Sequence, residues 1–109
     1  MKGVDSKMKI EKQEDRVIAF LSGEIDHHSA RFMREEIDEQ CERTRPKILE
    51  LDFKGVSFMD SSGIGLVMGR YRTMQQLGGS LRVTNATSSI NKVMKLAGLE
   101  KLNIFEERK

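Results

Sequence analysis

The sequence predicts a single α/β domain in which a mixed sheet of about four to five strands packs with about three to four helices. Its 109 residues suit one hydrophobic core, and 38% of them are hydrophobic. Short apolar or alternating segments, typical of strands, are interspersed with longer segments in which apolar residues recur every three or four positions. Strands joined through helices favour a parallel sheet, whereas the two opening strands are expected to pair as an antiparallel hairpin.

The domain is expected to begin after a short extension. Residues 1 to 7 are polar and have no periodic pattern, which predicts a flexible N-terminal extension and a domain covering residues 8 to 109. Residues 8 to 12 alternate between polar and apolar side chains, and residues 16 to 21 are apolar and rich in strand formers. These two segments predict the strands of the hairpin.

An amphipathic helix follows the hairpin. Asp26 or Ser29 is expected to cap its start, and the helix should end near Thr44 because Pro46 disfavours helical backbone before it. Charged residues cover most of its surface. Its apolar stripe consists of Ala30, Met33, Ile37 and Cys41.

A central strand and a second helix occupy the middle of the chain. Residues 47 to 53 predict the strand, and Lys54 with Gly55 predicts a turn after it. The second helix should stop at the glycine pair 78 and 79 and expose Arg70 and Arg72 on a solvated face. Its predicted buried stripe consists of Ile64, Val67, Met68, Tyr71 and Met74.

The last third of the chain repeats the alternation. Residues 81 to 84 predict a short strand, Gly98 is the expected stop of a third helix, and residues 102 to 105 are a candidate for a final edge strand. The predicted core stripe of the third helix consists of Ile90, Val93, Met94 and Ala97.

Composition and charge exclude several classes of function. The 19 Lys and Arg residues are mixed with 17 Asp and Glu residues along the whole chain, so no direct nucleic-acid binding is expected. The apolar runs fall far short of the roughly 20 residues that span a bilayer, which predicts no membrane association. The single cysteine, Cys41, forbids an intramolecular disulfide and favours a cytoplasmic location, and its apolar neighbours predict a buried structural thiol.

The segment Asp-Ser-Ser-Gly-Ile-Gly, residues 60 to 65, is the strongest candidate for chemistry. It precedes the second helix, so its hydroxyls are expected at a helix N-terminus, where unpaired backbone N–H groups and the helix dipole favour an anion. A phosphate on Ser61 would carry about −1.5 to −2 charge and is suited to that position. The plainer interpretation is that Asp60, Ser61 and Ser62 are simply alternative helix caps.

The redundancy of this segment favours more than capping. One cap is sufficient, yet Gly63, Gly65 and Gly69 follow three adjacent capping residues, and a glycine inside a helix costs about 1 kcal/mol relative to alanine. Gly65 and Gly69 are four residues apart and leave a flat strip for close approach by another backbone, although part of that strip could face the sheet. Ser62, Gly63 and Gly65 are therefore candidate partner-binding residues, together with Asp60.

Nucleotide binding and self-contained catalysis are weaker interpretations. Gly63, Gly65 and Gly69 resemble a dinucleotide fingerprint, but the third glycine is one position late, and no Walker sequence is present. Ser61 lacks the Gly-x-Ser-x-Gly context of a hydrolase nucleophile, and no partner histidine is indicated. No catalytic residue and no cofactor are predicted.

Acidic and metal sites are also weaker interpretations of this sequence. Asp52 and Asp60 suggest the phospho-acceptor pocket of a receiver domain, but the opening hairpin lacks the paired acidic residues that such a pocket requires. His27 and His28 are adjacent on one helix and point in different directions, so a helix-start or surface role is favoured over metal binding. No metal site is predicted.

Two segments together resemble a known family. Residues 23 to 28, Gly-Glu-Ile-Asp-His-His, and residues 57 to 65, Ser-Phe-Met-Asp-Ser-Ser-Gly-Ile-Gly, are similar to the STAS anti-sigma-factor antagonists. The resemblance extends over nearly the whole chain from Met8 and includes the Leu-Ala-Gly-Leu turn at residues 96 to 99. The histidine pair inclines the resemblance towards the sporulation branch of the family.

The resemblance implies a partner-switching cycle in transcription regulation. The unphosphorylated antagonist binds an anti-sigma factor serine kinase, releases its sigma factor and is then phosphorylated by that kinase; a phosphoserine phosphatase resets it. The family's acceptor falls on Ser61, with Ser62 a less favoured hydroxyl. Asp26 matches the family's acidic residue near the phosphosite, which implies a partner-binding role for it beside the plainer role of a helix cap. The alternatives are a STAS module for another kinase, a stress-signalling complex or a transporter regulator, and a small enzyme or nucleotide-binding protein.

Overall fold

The computed structural model describes residues 7 to 107. It confirms a single α/β domain with a four-stranded mixed sheet and three α-helices. The predicted extension lies outside the described residues except for Lys7, which begins the first strand. The elements in chain order are β1 (Lys7–Gln13), β2 (Arg16–Ile25), α1 (His27–Thr44), β3 (Ile48–Met59), α2 (Ser61–Gln76), β4 (Ser80–Thr84), α3 (Ser88–Leu96) and a short 3-10 helix (Leu99–Leu102).

The sheet follows the chain order β1-β2-β3-β4. β1 pairs with β2 antiparallel, which confirms the predicted hairpin, and its turn places Glu14 in the left-handed region with φ 51°. β2 pairs with β3, and β3 with β4, in parallel through the helical connections. Parallel pairing has a functional consequence, because the carboxyl ends of β2 and β3 meet at one edge of the sheet and both α1 and α2 begin there.

The hydrophobic core lies between one face of the sheet and the helices. The strands contribute alternate residues such as Leu49, Leu51 and Phe53, which are fully buried, as strand periodicity requires. The opposite face of β3 carries Glu50, which is buried, accepts a hydrogen bond from Thr84 at 2.7 Å and pairs with Arg16 at 2.7 Å. The stripe predicted for α1 is confirmed, since Ala30, Met33, Ile37 and Cys41 are all buried.

The turn predicted at Lys54 and Gly55 is wrong, because β3 continues through both residues to Met59. Gly55 pairs with Ser22 of β2 next to a register shift. A Cβ atom at Gly55 would lie 2.8 Å from the Ser22 Cβ, so the glycine permits close approach of two irregularly paired strands. A glycine inside an apolar segment therefore marks a bulged pair here and not a turn.

The buried face of α2 differs from the predicted stripe. Val67 and Met74 are buried as expected, but Leu66 and Arg70 are buried as well, and Ile64, Met68 and Tyr71 are only partly buried. The solvated face predicted for Arg70 is wrong: the residue is 5% exposed, and its Nε lies 2.9 Å from Asp38 Oδ1 of α1. α2 packs against α1 as well as the sheet, and the periodicity of α2 alone does not reveal this second neighbour. Arg72 is exposed, as predicted.

The C-terminal part also departs from the prediction. In α3, Ile90 and Met94 are buried, whereas Val93 is 36% exposed and Ala97 follows the helix as an exposed cap residue. Gly98 ends this region with φ 86°, which agrees with the predicted stop. The predicted edge strand at residues 102 to 105 reduces to a single parallel bridge between Phe105 and Val83.

Candidate functional site

The candidate site lies where α1 and α2 begin side by side. Ile25, the last residue of β2, pairs in parallel register with Met59, the last residue of β3. The backbone N–H of Asp60 donates a hydrogen bond to the Ile25 carbonyl oxygen at 3.2 Å. Asp26 and Asp60 directly follow these paired residues, so two acidic helix caps occupy neighbouring positions at one edge of the sheet.

Asp60 caps α2, so the Ser61 hydroxyl is not required as the helix cap. Its Oδ1 accepts a hydrogen bond from the Ser62 N–H at 2.8 Å, and its carbonyl oxygen accepts one from the Gly63 N–H at 2.9 Å. Ser61 is the first residue of the helix and is exposed. Its hydroxyl makes no hydrogen bond to any residue in the described range. The two N–H groups bound by Asp60 are not available to a phosphate on Ser61, so local support for such a phosphate comes chiefly from the helix dipole.

Asp26 caps α1 through a capping box. Its Oδ1 accepts a hydrogen bond from the Ser29 N–H at 3.0 Å, while the Ser29 hydroxyl accepts one from the Asp26 N–H at 2.9 Å. The hydrogen bond from the Ser29 backbone is the largest of the effects that lower the pKa of Asp26. The side chain is fully exposed, so Asp26 presents a carboxylate to solvent near Ser61 while it also holds the helix start.

The glycines of α2 occupy different environments. Gly63 is buried against β3, and a Cβ atom there would lie 2.7 Å from the Met59 sulfur. Gly65 is exposed, and a Cβ atom at Gly65 or Gly69 would meet nothing within 4 Å beyond the helix's own backbone. Among the predicted partner-binding residues, Gly65 and the half-buried Ser62 thus lie towards the surface, whereas Gly63 fills a packing position.

A groove of about 530 Å³ separates α1 from α2 and begins beside Ser62. The sequence did not indicate its most polar lining residues, because charged residues on an amphipathic helix usually belong to a solvated face. Only the packing of the two helices brings the residues from α1 opposite the glycines of α2 and turns the one from α2 towards α1. These residues are His27, Arg31, Arg34 and Arg70.

Phe58 is a further candidate contact residue that the sequence pattern did not single out. It lies two residues before Asp60, at the end of β3, and its side chain is 53% exposed although Met59 beside it is buried. An exposed aromatic ring is suited to protein contact. The available signal was strand alternation, which sends Phe58 and Met59 to opposite faces.

The residues of the other interpretations lie in ordinary structural settings. Asp52 accepts hydrogen bonds from the Lys54 N–H and the Asn85 side-chain amide at 2.9 and 3.0 Å. Between residues 7 and 107, no group of three or more His, Cys, Asp or Glu side chains is arranged to hold a metal ion. The rings of His27 and His28 meet edge to face, with centroids 5.9 Å apart. Burial raises the pKa of Cys41 to about 11, which keeps this thiol protonated and unreactive.

No helix in the described part of the chain is both long enough and apolar enough to span a membrane.

Comparison with known proteins agrees with this geometry. The family model of the STAS domain matches residues 7–109. An anti-sigma F factor antagonist from Paenibacillus polymyxa is 35% identical over 97 residues, which cover 87% of this chain and 83% of the relative.

Two solved structures share the fold. The anti-sigma factor antagonist SpoIIAA in its unphosphorylated form is 29% identical with a TM-score of 0.84, covering 94% of this chain and 89% of that chain. The Bacillus cell fate determinant SpoIIAA in its phosphorylated form gives 29% identity and a TM-score of 0.77, covering 94% and 92%. The chain therefore belongs to the STAS domain family, as an anti-sigma-factor antagonist.

Proposed function

We propose that the unphosphorylated protein binds an anti-sigma factor serine kinase and thereby releases its sigma factor, and that phosphorylation of Ser61 switches it off. The observation that carries this proposal is the position of Ser61, exposed at the first residue of α2 with no hydrogen bond to a described residue, while Asp60 caps the helix. A kinase reaches this hydroxyl without opening the domain. The relative from Paenibacillus polymyxa supports an anti-sigma F kinase as the first partner to test.

Phosphorylation is proposed to act at the interface and not by unfolding the domain. The added charge of about −1.5 to −2 lies beside the Asp60 carboxylate and near that of Asp26, and the positive end of the α2 dipole partly offsets this repulsion. A folded relative is known in both the unphosphorylated and the phosphorylated form, which supports a domain that tolerates the modification. When a partner covers Ser61, the same charge must lose its hydration against the partner, and binding is weakened.

The test combines the purified protein with the anti-sigma kinase and ATP. Intact-mass analysis should show the gain of one phosphate only when kinase is present. Ser61→Ala should abolish this gain and retain kinase binding, whereas the matched variant Ser62→Ala should be phosphorylated like the wild type. A phosphoserine phosphatase, the second proposed partner, should restore the original mass and the affinity for the kinase.

The binding arm measures kinase affinity and release of the sigma factor from the kinase. Unphosphorylated protein should displace the sigma factor, and phosphorylated protein should not, with unchanged far-ultraviolet circular dichroism. Equal affinity of the two forms would refute the proposed switch. Modification or nucleotide turnover without kinase would instead support an enzyme.

A further inference from the structure

The groove between α1 and α2 has a floor with almost no side chains. Gly65, Leu66 and Gly69 form this part of α2, and Cβ atoms built at the two glycines have no neighbour within 4 Å beyond their own helix. Leu66 is 3% exposed and directs its side chain into the core. The cavity of about 530 Å³ therefore admits a segment of another chain at close backbone distance.

The walls of this groove are cationic. Arg31 and Arg34 of α1 line it opposite Arg70 of α2, and none of its lining residues is an Asp or Glu. Arg31 pairs with Glu35 at 3.4 Å on the exposed surface of α1. Arg34 forms no ion pair with a residue of the described range. Its charge acts at longer range on Asp38, whose pKa it lowers, and no carboxylate of the described range pairs with it directly.

Arg70 adds a buried cation that already pairs with Asp38 of α1. The residue is 5% exposed, and its Nε and Nη1 atoms are buried without a hydrogen-bond acceptor among the described residues, although Asp38 lies at ion-pair distance from Nε. Burial lowers the pKa of Arg70, Asp38 raises it, and the nearby charge of Arg34 lowers it again. The guanidinium therefore adds positive charge behind the exposed arginines of α1, while its buried Nε and Nη1 atoms are closed to an incoming carboxylate.

We infer that this groove docks an acidic segment of the kinase partner, with carboxylates on Arg31 and Arg34 and with the positive charge of Arg70 behind them. This inference rests on the proposed function and adds the chemistry by which the partner is recognised. A protein segment fits better than a nucleic acid, because the carboxylates of Asp26 and Asp60 at the helix starts repel a continuous phosphate backbone. Discrete acidic side chains can bind the arginines and leave that rim empty.

The position of the groove also gives the phosphorylation switch an electrostatic cause. Ser62 lines the groove and Ser61 directly precedes it, so a phosphate on Ser61 adds negative charge at the mouth of the docking site. The acidic segment is repelled there even though the arginines remain in place. Phosphorylation and charge reversal of the groove are thus expected to weaken the same interaction.

Charge reversal with a matched control tests the inference. Kinase affinity is measured by titration calorimetry at low and at physiological salt for the wild type, Arg34→Glu, Arg31→Glu and Arg72→Glu. Arg72 lies exposed on α2 outside the groove and is the control. Each groove reversal should weaken binding roughly tenfold or more, and the control by less than about twofold. The salt dependence of the affinity should also become shallower in the groove variants.

The outcomes separate this inference from the proposed function. If the wild type binds the kinase and Arg34→Glu and Arg72→Glu weaken binding equally, the groove is not the docking site. That result would leave the proposed phosphorylation switch intact. Wild-type protein that does not bind the kinase at all would overturn the proposed function itself. Circular dichroism checks that each variant is folded. If a charge-reversal variant is unfolded, the neutral variant Arg34→Gln replaces it, and an intermediate loss of kinase affinity is expected. A random DNA duplex provides a further test. If the wild type binds it tightly and the charge-reversal variants of the groove do not, the groove binds nucleic acid and the inference is contradicted.

Discussion

Alanine substitution at three glycines of α2 should change the free energy of unfolding in opposite directions: it should rise at two positions and fall at the third. Gly65 and Gly69 lie within the helix, where alanine is favoured over glycine by about 0.5 to 1 kcal/mol because less backbone entropy is lost on folding. Nothing in the structure opposes an added methyl group at either position. Gly65→Ala and Gly69→Ala should each raise the free energy of unfolding by about that amount.

Gly63→Ala should destabilise the same helix. The new methyl carbon would lie 2.7 Å from the Met59 sulfur, 3.0 Å from its Cβ and 3.1 Å from its Cγ, so the whole side chain of Met59 and not only its flexible end must move. Overpacking of this kind costs about 1 to 3 kcal/mol and outweighs the gain in helix propensity. After the gain in helix propensity is subtracted, a net loss of up to about 2 kcal/mol is expected.

Urea denaturation followed by circular dichroism measures all three variants against the wild type. For a domain of this size, each kcal/mol corresponds to roughly 4 to 8 °C in the melting temperature, so thermal melts provide a second readout. Equal stabilisation by Gly63→Ala and Gly65→Ala would refute the packing of α2 against Met59. If a partner backbone approaches the glycines of the groove, the added methyl group of Gly69→Ala should weaken kinase binding although the variant is more stable. Opposite effects on stability and on binding would distinguish the two roles of this glycine.

Three further predictions follow from the caps and the buried ion pair. Asp60→Ala removes the α2 cap and should lower the free energy of unfolding by about 1 kcal/mol in urea denaturation; no change would contradict the bond to the Ser62 N–H. Arg70→Met leaves Asp38 partly buried without its partner and should cost about 1 to 3 kcal/mol, and adding Asp38→Leu should recover part of that loss in a double-mutant cycle. Because the pKa of Asp26 is lowered, its stabilising contribution is present above the unfolded pKa near 3.8 and is lost as pH falls through the folded pKa. Asp26→Asn should therefore show a shallower loss of stability below about pH 4, and an NMR titration placing the Asp26 pKa above its ordinary value would contradict this.

Local signals were sufficient where a structural feature depends on a few neighbouring residues. The capping box of Asp26 and Ser29, the end of α1 before Pro46 and the stop at Gly98 depend on backbone geometry and hydrogen bonds within one turn. The position of Ser61 at the start of α2 belongs to the same class. These features could be predicted because the interactions that determine them are close in sequence.

Features that depend on two elements meeting were predicted incorrectly or not at all. Gly55 was predicted to lie in a turn, but a glycine is needed there because Ser22 of another strand approaches closely. Arg70 appeared solvated because its covering neighbour, Asp38, belongs to α1. The cationic groove likewise arises only when α1 and α2 are placed together.

Residues close together in the chain were sufficient to predict the alternation of strands and helices as far as α3, a capped start for α1 and α2, and the hydroxyl of Ser61 at a helix N-terminus, because periodicity and capping act over short distances. Three features required the folded arrangement: the neighbouring positions of Asp26 and Asp60 after paired strands, the burial of Arg70, and the arginines of α1 that face the glycines of α2 across a groove. Those arrangements depend on the parallel register of β2 with β3 and on the packing of α1 against α2. Such long-range geometry leaves no periodic trace in the residues that it brings together.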